Sequence, residues 1–159
     1  MIFFFPQVFI FGMEYRYNFG LSYYYDSQNI DSAKEADHLL VDYSYEILSH
    51  PLDYCNLSAE VNFSLNPFIN VYSLSMNLKG YLGTDFSGLF LGFSPFSECN
   101  FGNLFLESPF LNYAVGFFAG YNKQLENNVN VESKGAVVFS VYDRLNPMKI
   151  KISLCFCFC

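Results

Sequence analysis

The sequence predicts an all-β protein, an eight-stranded antiparallel up-and-down barrel. Three observations lead there. The composition is apolar and aromatic, yet no run is long enough for a membrane-spanning helix. A strict alternation of apolar and polar residues recurs along the chain. The connections between the alternating segments are short and long in a pattern that suits a closed ring.

The composition sets the bounds. At 159 residues the chain is one domain with room for a sizeable interior. Hydrophobic residues make up 52% and aromatics 21%, with 20 Phe, 13 Tyr and no Trp. Charged residues are 14%, against roughly 25% in ordinary soluble domains, which excludes a disordered chain or a charged coiled coil. A net charge of −7 gives no attraction for nucleic acid or anionic lipid surfaces. Mean hydropathy is +0.19, but no apolar run reaches the ~18 residues of a spanning helix.

Residues 1–12 are read as the remnant of a signal peptide. Ile2 to Phe11 (IFFFPQVFIF) is too short to cross a bilayer as a helix and matches the apolar centre of a secretory signal, followed by the small Gly12. No basic segment precedes it; a start upstream of Met1 would account for that. The mature domain is then 13–159, and the competing reading of the segment is a buried first strand.

The first strand is the clearest. From Met13 to Tyr25 every odd position is apolar or aromatic, while Glu14, Arg16, Asn18, Gly20 and Ser22 occupy even positions. A helix would spread these around its circumference; a strand sends them to opposite faces. The second segment sets Val41, Tyr43, Tyr45 and Ile47 against Asp42, Ser44 and Glu46. The third opposes Leu57, Ala59, Val61, Phe63 and Leu65 to Asn56, Ser58, Glu60, Asn62 and Ser64. In the fourth, Tyr72, Leu74, Met76 and Leu78 alternate with Ser73, Ser75, Asn77 and Lys79. The fifth is weaker: Leu89, Leu91 and Phe93 oppose Gly88, Phe90, Gly92 and Ser94. The sixth places Leu111, Tyr113, Val115, Phe117 and Tyr121 opposite Asn112, Ala114, Gly116, Phe118 and Gly120. The seventh has Val129, Val131, Val137 and Phe139 against Asn130, Glu132, Lys134 and Ala136. The last, KIKISLCFCFC, alternates Ile150 through Phe158 with Lys149, Lys151, Ser153, Cys155 and Cys157.

Between them, Asp26–Asp37 and Ser97–Pro109 are read as long connections. Ser49–Leu52 around Pro51, Asn66–Pro67, Thr84–Ser87, Lys123–Asn127 and Asp143–Pro147 are read as shorter ones. In an up-and-down barrel both long connections fall on one rim, as in outer-membrane barrels. Gly20, Gly80, Gly116, Gly120 and Gly135 sit inside strands and are read as bends or points of close packing.

On this pattern, residues 13–159 resemble the small eight-stranded outer-membrane β-barrels, the group that includes OmpA-type transmembrane domains and OmpX-like proteins. The resemblance implies a transmembrane barrel in the outer membrane, surrounded by its lipid and inserted by the barrel-assembly machinery through the C-terminal strand. In that group the last strand usually ends on an aromatic residue; here Phe158 is penultimate and Cys159 last.

Alternation alone leaves open which face is inside, because a soluble lipocalin-like barrel that encloses an apolar ligand has the same period. Long apolar faces, opposed to charges mixed with Gly, Ala, Ser and Asn, favour lipid outside. Glu14, Arg16, Asp42, Glu46, Glu60, Lys79, Glu132, Lys134, Lys149 and Lys151 would then form a lumen charge network. Five are positive and five negative, the balance a buried set requires. Lys34, Lys123 and Arg144 are assigned to the connections with the remaining acids. With Tyr24, Phe90, Phe118 and Tyr142 also inward, the lumen is expected to be filled rather than open.

The expected function is that of a non-enzymatic surface protein: envelope structure, adhesion or ligand contact. Asp26, Asp31, Glu35, Asp37, Glu98 and Glu107 are the candidate recognition positions on exposed acidic loops. An outer-membrane lipid-modifying enzyme is the remaining alternative. Its only histidines would be His38, in the first long loop, and His50, in a turn; neither begins a His-x-Ser on a strand. No metal or cofactor is expected, since the five cysteines form no CxxC.

Overall fold

Alternating side chains with many aromatic and β-branched residues favour paired strands, and the described residues form eight of them. The computed structural model describes residues 13–25, 39–52, 55–66, 71–82, 86–101, 113–125, 129–140 and 148–158, without the side chains of 50–52, 55, 71 and 97–101. The strands are β1 (Met13–Tyr25), β2 (Leu39–Leu52), β3 (Cys55–Asn66), β4 (Val71–Tyr81), β5 (Gly88–Phe101), β6 (Ala114–Gln124), β7 (Val129–Ser140) and β8 (Met148–Phe158). Each pairs antiparallel with its neighbours in sequence, and β8 closes on β1. The fold is a closed eight-stranded antiparallel up-and-down barrel.

The stagger of the ring can be read from its pairs. Starting at Glu14, partners lead through Leu48, Ser58, Lys79, Gly92, Phe118, Ala136 and Lys151, and return to Tyr24, ten residues further along β1. Ten residues of about 3.3 Å against eight strands about 4.8 Å apart tilt the strands by about 40° from the axis. Because strands alternate in direction, the β1–β2 and β5–β6 connections leave from the same end, with β3–β4 and β7–β8.

Several boundaries differ from the sequence expectation. The assumed turn Ser49–Leu52 belongs to β2, which continues through a register irregularity until Leu52 pairs Cys55. Pro51 is tolerated because the ladder is already disrupted there. β5 runs on to Phe101, so Ser97 and Glu98 are strand residues rather than loop. Two register shifts against β4 keep it paired where its alternation fails. β6 starts at Ala114, leaving Tyr113 just before it, and Lys123 lies on β6 with an exposed side chain, not in a connection. Residues 1–12 lie outside the described residues.

The faces are sorted as a barrel in lipid would have them. Among the described residues, twenty-seven large hydrophobic side chains are exposed, Phe19, Leu21, Val61, Phe117, Leu154 and Phe156 among them. Inside, polar side chains predominate, and a small apolar cluster of Leu48, Tyr81, Phe86, Phe90 and Phe118 sits toward the β4–β5 connection. The soluble-barrel alternative required the reverse arrangement, with aromatics lining the lumen.

Close packing explains Gly20, Gly92 and Gly120, the last two against the Phe118 and Phe90 rings, and does not explain Gly80 or Gly135. A Cβ on Gly20 would strike the Leu154 carbonyl and Cys155, and one on Gly120 would strike the Phe90 ring and the Ser133 carbonyl. Gly80 leaves ordinary contact distances, and at Gly135 nothing lies within 4 Å of the missing Cβ.

Candidate functional site

The lumen holds the densest chemistry, and the pairing register builds it. Arg16, Glu46, Glu60 and Asn77 are successive partners across β1, β2, β3 and β4. That register sets two carboxylates, Glu46 and Glu60, side by side, an arrangement that repels unless a cation intervenes. Lys79 intervenes. Its Nζ lies 3.3 Å from Glu46 Oε1, 3.3 Å from Glu60 Oε2 and 2.9 Å from Glu132 Oε2 on β7. From β7, Lys134 Nζ returns across the lumen to Glu60 Oε2 at 3.4 Å and lies 3.8 Å from Glu132 Oε1. Arg16 NH1 stands 3.6 Å from Glu46 Oε2. Three cations and three carboxylates thus form one connected, neutral cluster.

Neutral groups take up the remaining carboxylate oxygens. Ser58 Oγ and Tyr81 OH donate to Glu46 Oε1, the latter at 3.1 Å. Asn77 Nδ2 donates to Glu60 Oε2 at 2.8 Å, while Ser44 Oγ and Asn18 Nδ2 donate to its Oε1. Such satisfaction is what allows buried charge to persist, since an unpaired buried ion costs several kcal/mol. Toward the long-loop end a second pair forms: Lys151 Nζ is 3.6 Å from Asp42 Oδ1, which also accepts from Ser64 Oγ.

Aromatic rings finish the filling. Lys79 Nζ lies 5.4 Å from the Phe90 ring centre, Lys134 Nζ 5.3 Å from Phe118 and Lys151 Nζ 5.3 Å from Tyr24. At these distances the ammonium groups gain from the ring faces. Tyr81 packs edge-on to Phe86 and against Phe90, and Asn122 Nδ2 holds the Phe86 carbonyl at 2.7 Å.

Of the ten charges expected in the lumen, the structure gathers eight: Arg16, Lys79, Lys134 and Lys151 with Asp42, Glu46, Glu60 and Glu132. Glu14 stays exposed near the start of β1, because the strand has barely entered the ring there, and Lys149 is only partly buried. Tyr81 and Leu48 complete the interior and were not singled out from sequence, whereas Asn18 and Asn77 stand on the polar faces already read as inward. Tyr81 continues the inward parity of Lys79 and Asn77, and Leu48 that of Glu46, so phase alone could have found them. Tyr142, His38 and the loop acids Asp26, Asp31, Glu35, Asp37 and Glu107 lie outside the described residues. His50 is on β2 rather than in a turn, and Glu98 is on β5. Cys155 and Cys157 are free thiols buried in the lumen. Among the described residues, no group of His, Cys, Asp and Glu is disposed to hold a metal.

No protein-family model matches the chain, and no curated protein matches it. Among solved structures, one from work on the de novo design of transmembrane β-barrels is similar, with a TM-score of 0.44 and 11% identity over 90% of this chain and 93% of that one.

Proposed function

We propose that this chain is an integral outer-membrane protein, a non-enzymatic barrel that anchors surface loops and contributes to envelope structure or contact with an external ligand. One observation carries the reading: the barrel wears its apolar side chains outward and encloses its charges. The height of that outer band fits a membrane. From Tyr15 to Tyr25 the outward face of β1 is apolar for ten residues, about 33 Å along the strand and about 25 Å along the axis at 40° tilt. Outer-membrane barrels carry an apolar band of about 25 Å edged by aromatic residues, and tyrosines stand at both ends of this one, Tyr15 and Tyr17 below, Tyr23 and Tyr25 above.

The filled lumen supports a structural role over a conducting one. Lys79–Glu132 and Lys134–Glu60 cross it from opposite walls, and an eight-stranded barrel is only wide enough for its own side chains. Recognition then falls to the connections at the end that carries the two long loops, including Asp26, Asp31, Glu35, Asp37 and Glu107. Barrel-assembly machinery would engage β8, and outer-membrane lipid would cover the apolar band.

The test is refolding of the chain into detergent micelles and lipid vesicles, followed by comparison of unheated and boiled samples on an SDS gel. The expected result is a compact unheated band, heat-shifted on boiling, and flotation with vesicles. A β-rich protein that stays soluble without detergent and does not float would overturn the proposal.

A further inference from the structure

The outer wall is hollowed between β5 and β8. Outward partners such as Phe19↔Tyr43 and Phe93↔Phe117 are large on both strands. One rung, however, runs through Leu91, Ala119, Gly135 and Ile152, so two adjoining strands offer a methyl and a hydrogen between two exposed branched side chains. Ser133, the next outward residue of β7, extends this low floor toward the short-turn end. The result is a furrow of about 570 Å³ in the apolar band. Neither backbone nor packing calls for glycine at 135: its φ is not positive, and nothing lies within 4 Å of its missing Cβ.

A cation stands at the mouth of the furrow. The other basic strand residues turn toward the lumen, and Lys123 is the one basic side chain on the outer face among those described. It follows Tyr121, the partner of Ser133, by two residues and pairs with Val131 of β7. Its height follows from the register. Lys123 leads through Val131 and Phe156 to Phe19, a climb of about 9 Å over three strands at 40° tilt, and Phe19 lies about 10 Å above Tyr15. Lys123 is therefore level with Tyr15, at the short-turn edge of the band. Traced in the same way through Ile152 to Tyr23, Gly135 lies about 14 Å above that edge, well inside the band.

Resting on the membrane reading above, we propose that the furrow binds a single glycerophospholipid of the leaflet on the short-turn side, with one acyl chain along Ser133, Gly135 and Ala119 and its phosphate paired to Lys123. Charge and depth select this occupant. A phosphate complements an outward cation at headgroup level, and the floor beside it lies at the depth of that lipid's own chain. Two strands of floor between Leu91 and Ile152 match one slender chain, which gains dispersion contacts from both walls, better than they match the convex wall of a second barrel.

The experiment uses the full chain refolded in micelles and given phosphatidylglycerol with a diazirine midway along one acyl chain. Native mass spectrometry counts the lipids retained, and peptide mass spectrometry after irradiation maps the labels. One lipid per barrel is expected, with labels concentrated on Ala119, Ser133, Gly135 and Ile152. Gly135→Leu, which fills the furrow from open space, should abolish the one-lipid species and keep the heat-shifted SDS band; Ala119→Leu, from the adjoining strand, is the second variant. Lys123→Gln should weaken retention of phosphatidylglycerol about fivefold and leave retention of a diacylglycerol with the same chains unchanged. Labels spread evenly over the outward residues of all strands, or a lipid retained by both filled variants, overturn the site, as does a dimer of barrels that Gly135→Leu dissolves. Equal loss of both lipids in Lys123→Gln, or of neither, overturns the phosphate contact. In each of these cases flotation of the parent chain with vesicles keeps the membrane reading standing; failure to float overturns that reading and the site together.

Discussion

Removal of the Lys79 ammonium is the sharpest test of the lumen. In Lys79→Met, three carboxylates that shared this cation at 2.9 to 3.3 Å keep only Arg16 and Lys134, at 3.4 to 3.8 Å. Two cations then face three buried carboxylates, and Glu46 and Glu60 remain side by side. Breaking a buried pair from one side costs about 3–5 kcal/mol, because the abandoned charge stays buried. With a urea slope of about 2 kcal/mol/M, the unfolding midpoint should fall by about 2 M. The assay is a urea titration in micelles, followed by far-ultraviolet circular dichroism and by the unheated SDS band. Lys79→Met combined with Glu132→Gln returns the cluster to neutrality and should recover more than half of the loss. A single variant within about 1 kcal/mol of the parent, the range of an exposed ion pair, would refute the buried-network reasoning. So would a double variant no more stable than the single one.

Other positions give independent checks. Leu154→Arg puts a charge in the middle of the outer band and should cost about 2–4 kcal/mol in lipid, while Tyr25→Arg at its edge should cost about 0–1; equal, negligible effects in vesicle-based unfolding would contradict a bilayer at that face. Gly20→Ala drives a methyl into the Leu154 carbonyl and Cys155, so the unheated compact band should be lost, whereas Gly135→Ala meets nothing and should fold like the parent. Cys155 and Cys157 should resist maleimide in the folded protein and react after boiling, as read by peptide mass; rapid labelling of either without denaturation would mean the lumen is open to solvent.

Much of this architecture is legible in the sequence because a strand's period of two survives wherever its ladder is regular. β1, β3 and β8 are of this kind, and in each the polar face of the sequence is the lumen face of the barrel. Legibility fails where the ladder does. In β5 the residues opposite Leu78, Met76 and Leu74 are Phe93, Phe96 and Cys99, three apart rather than two. An alternation test reads such a segment as loop, and Glu98 was placed in one. Pro51 misled in the same way at the end of β2.

The membership of the charge network follows from phase, but its connectivity does not. That Lys79 meets Glu132, 53 residues away, depends on the stagger with which the ring closes. No spacing along the chain encodes that stagger locally. Glu14 was counted inside for a related reason: parity gives a residue's face but not how deep into the barrel it sits.

The cross-lumen pairs also bear on how the protein comes apart. Arg16, Glu46, Glu60 and Lys79 belong to the first four strands, Glu132 and Lys134 to β7, and each group is neutral alone. Lys79–Glu132 and Lys134–Glu60 join them across 53 and 74 residues, so they form only as the ring shuts. Contacts of such sequence separation come late and leave the assembly rate almost untouched. They act on the reverse step: β7 must surrender two buried ion pairs before it can part from the first four strands. The lumen network thus works as a kinetic clasp, and its strength is measured by the lifetime of the finished barrel more than by the speed of its making.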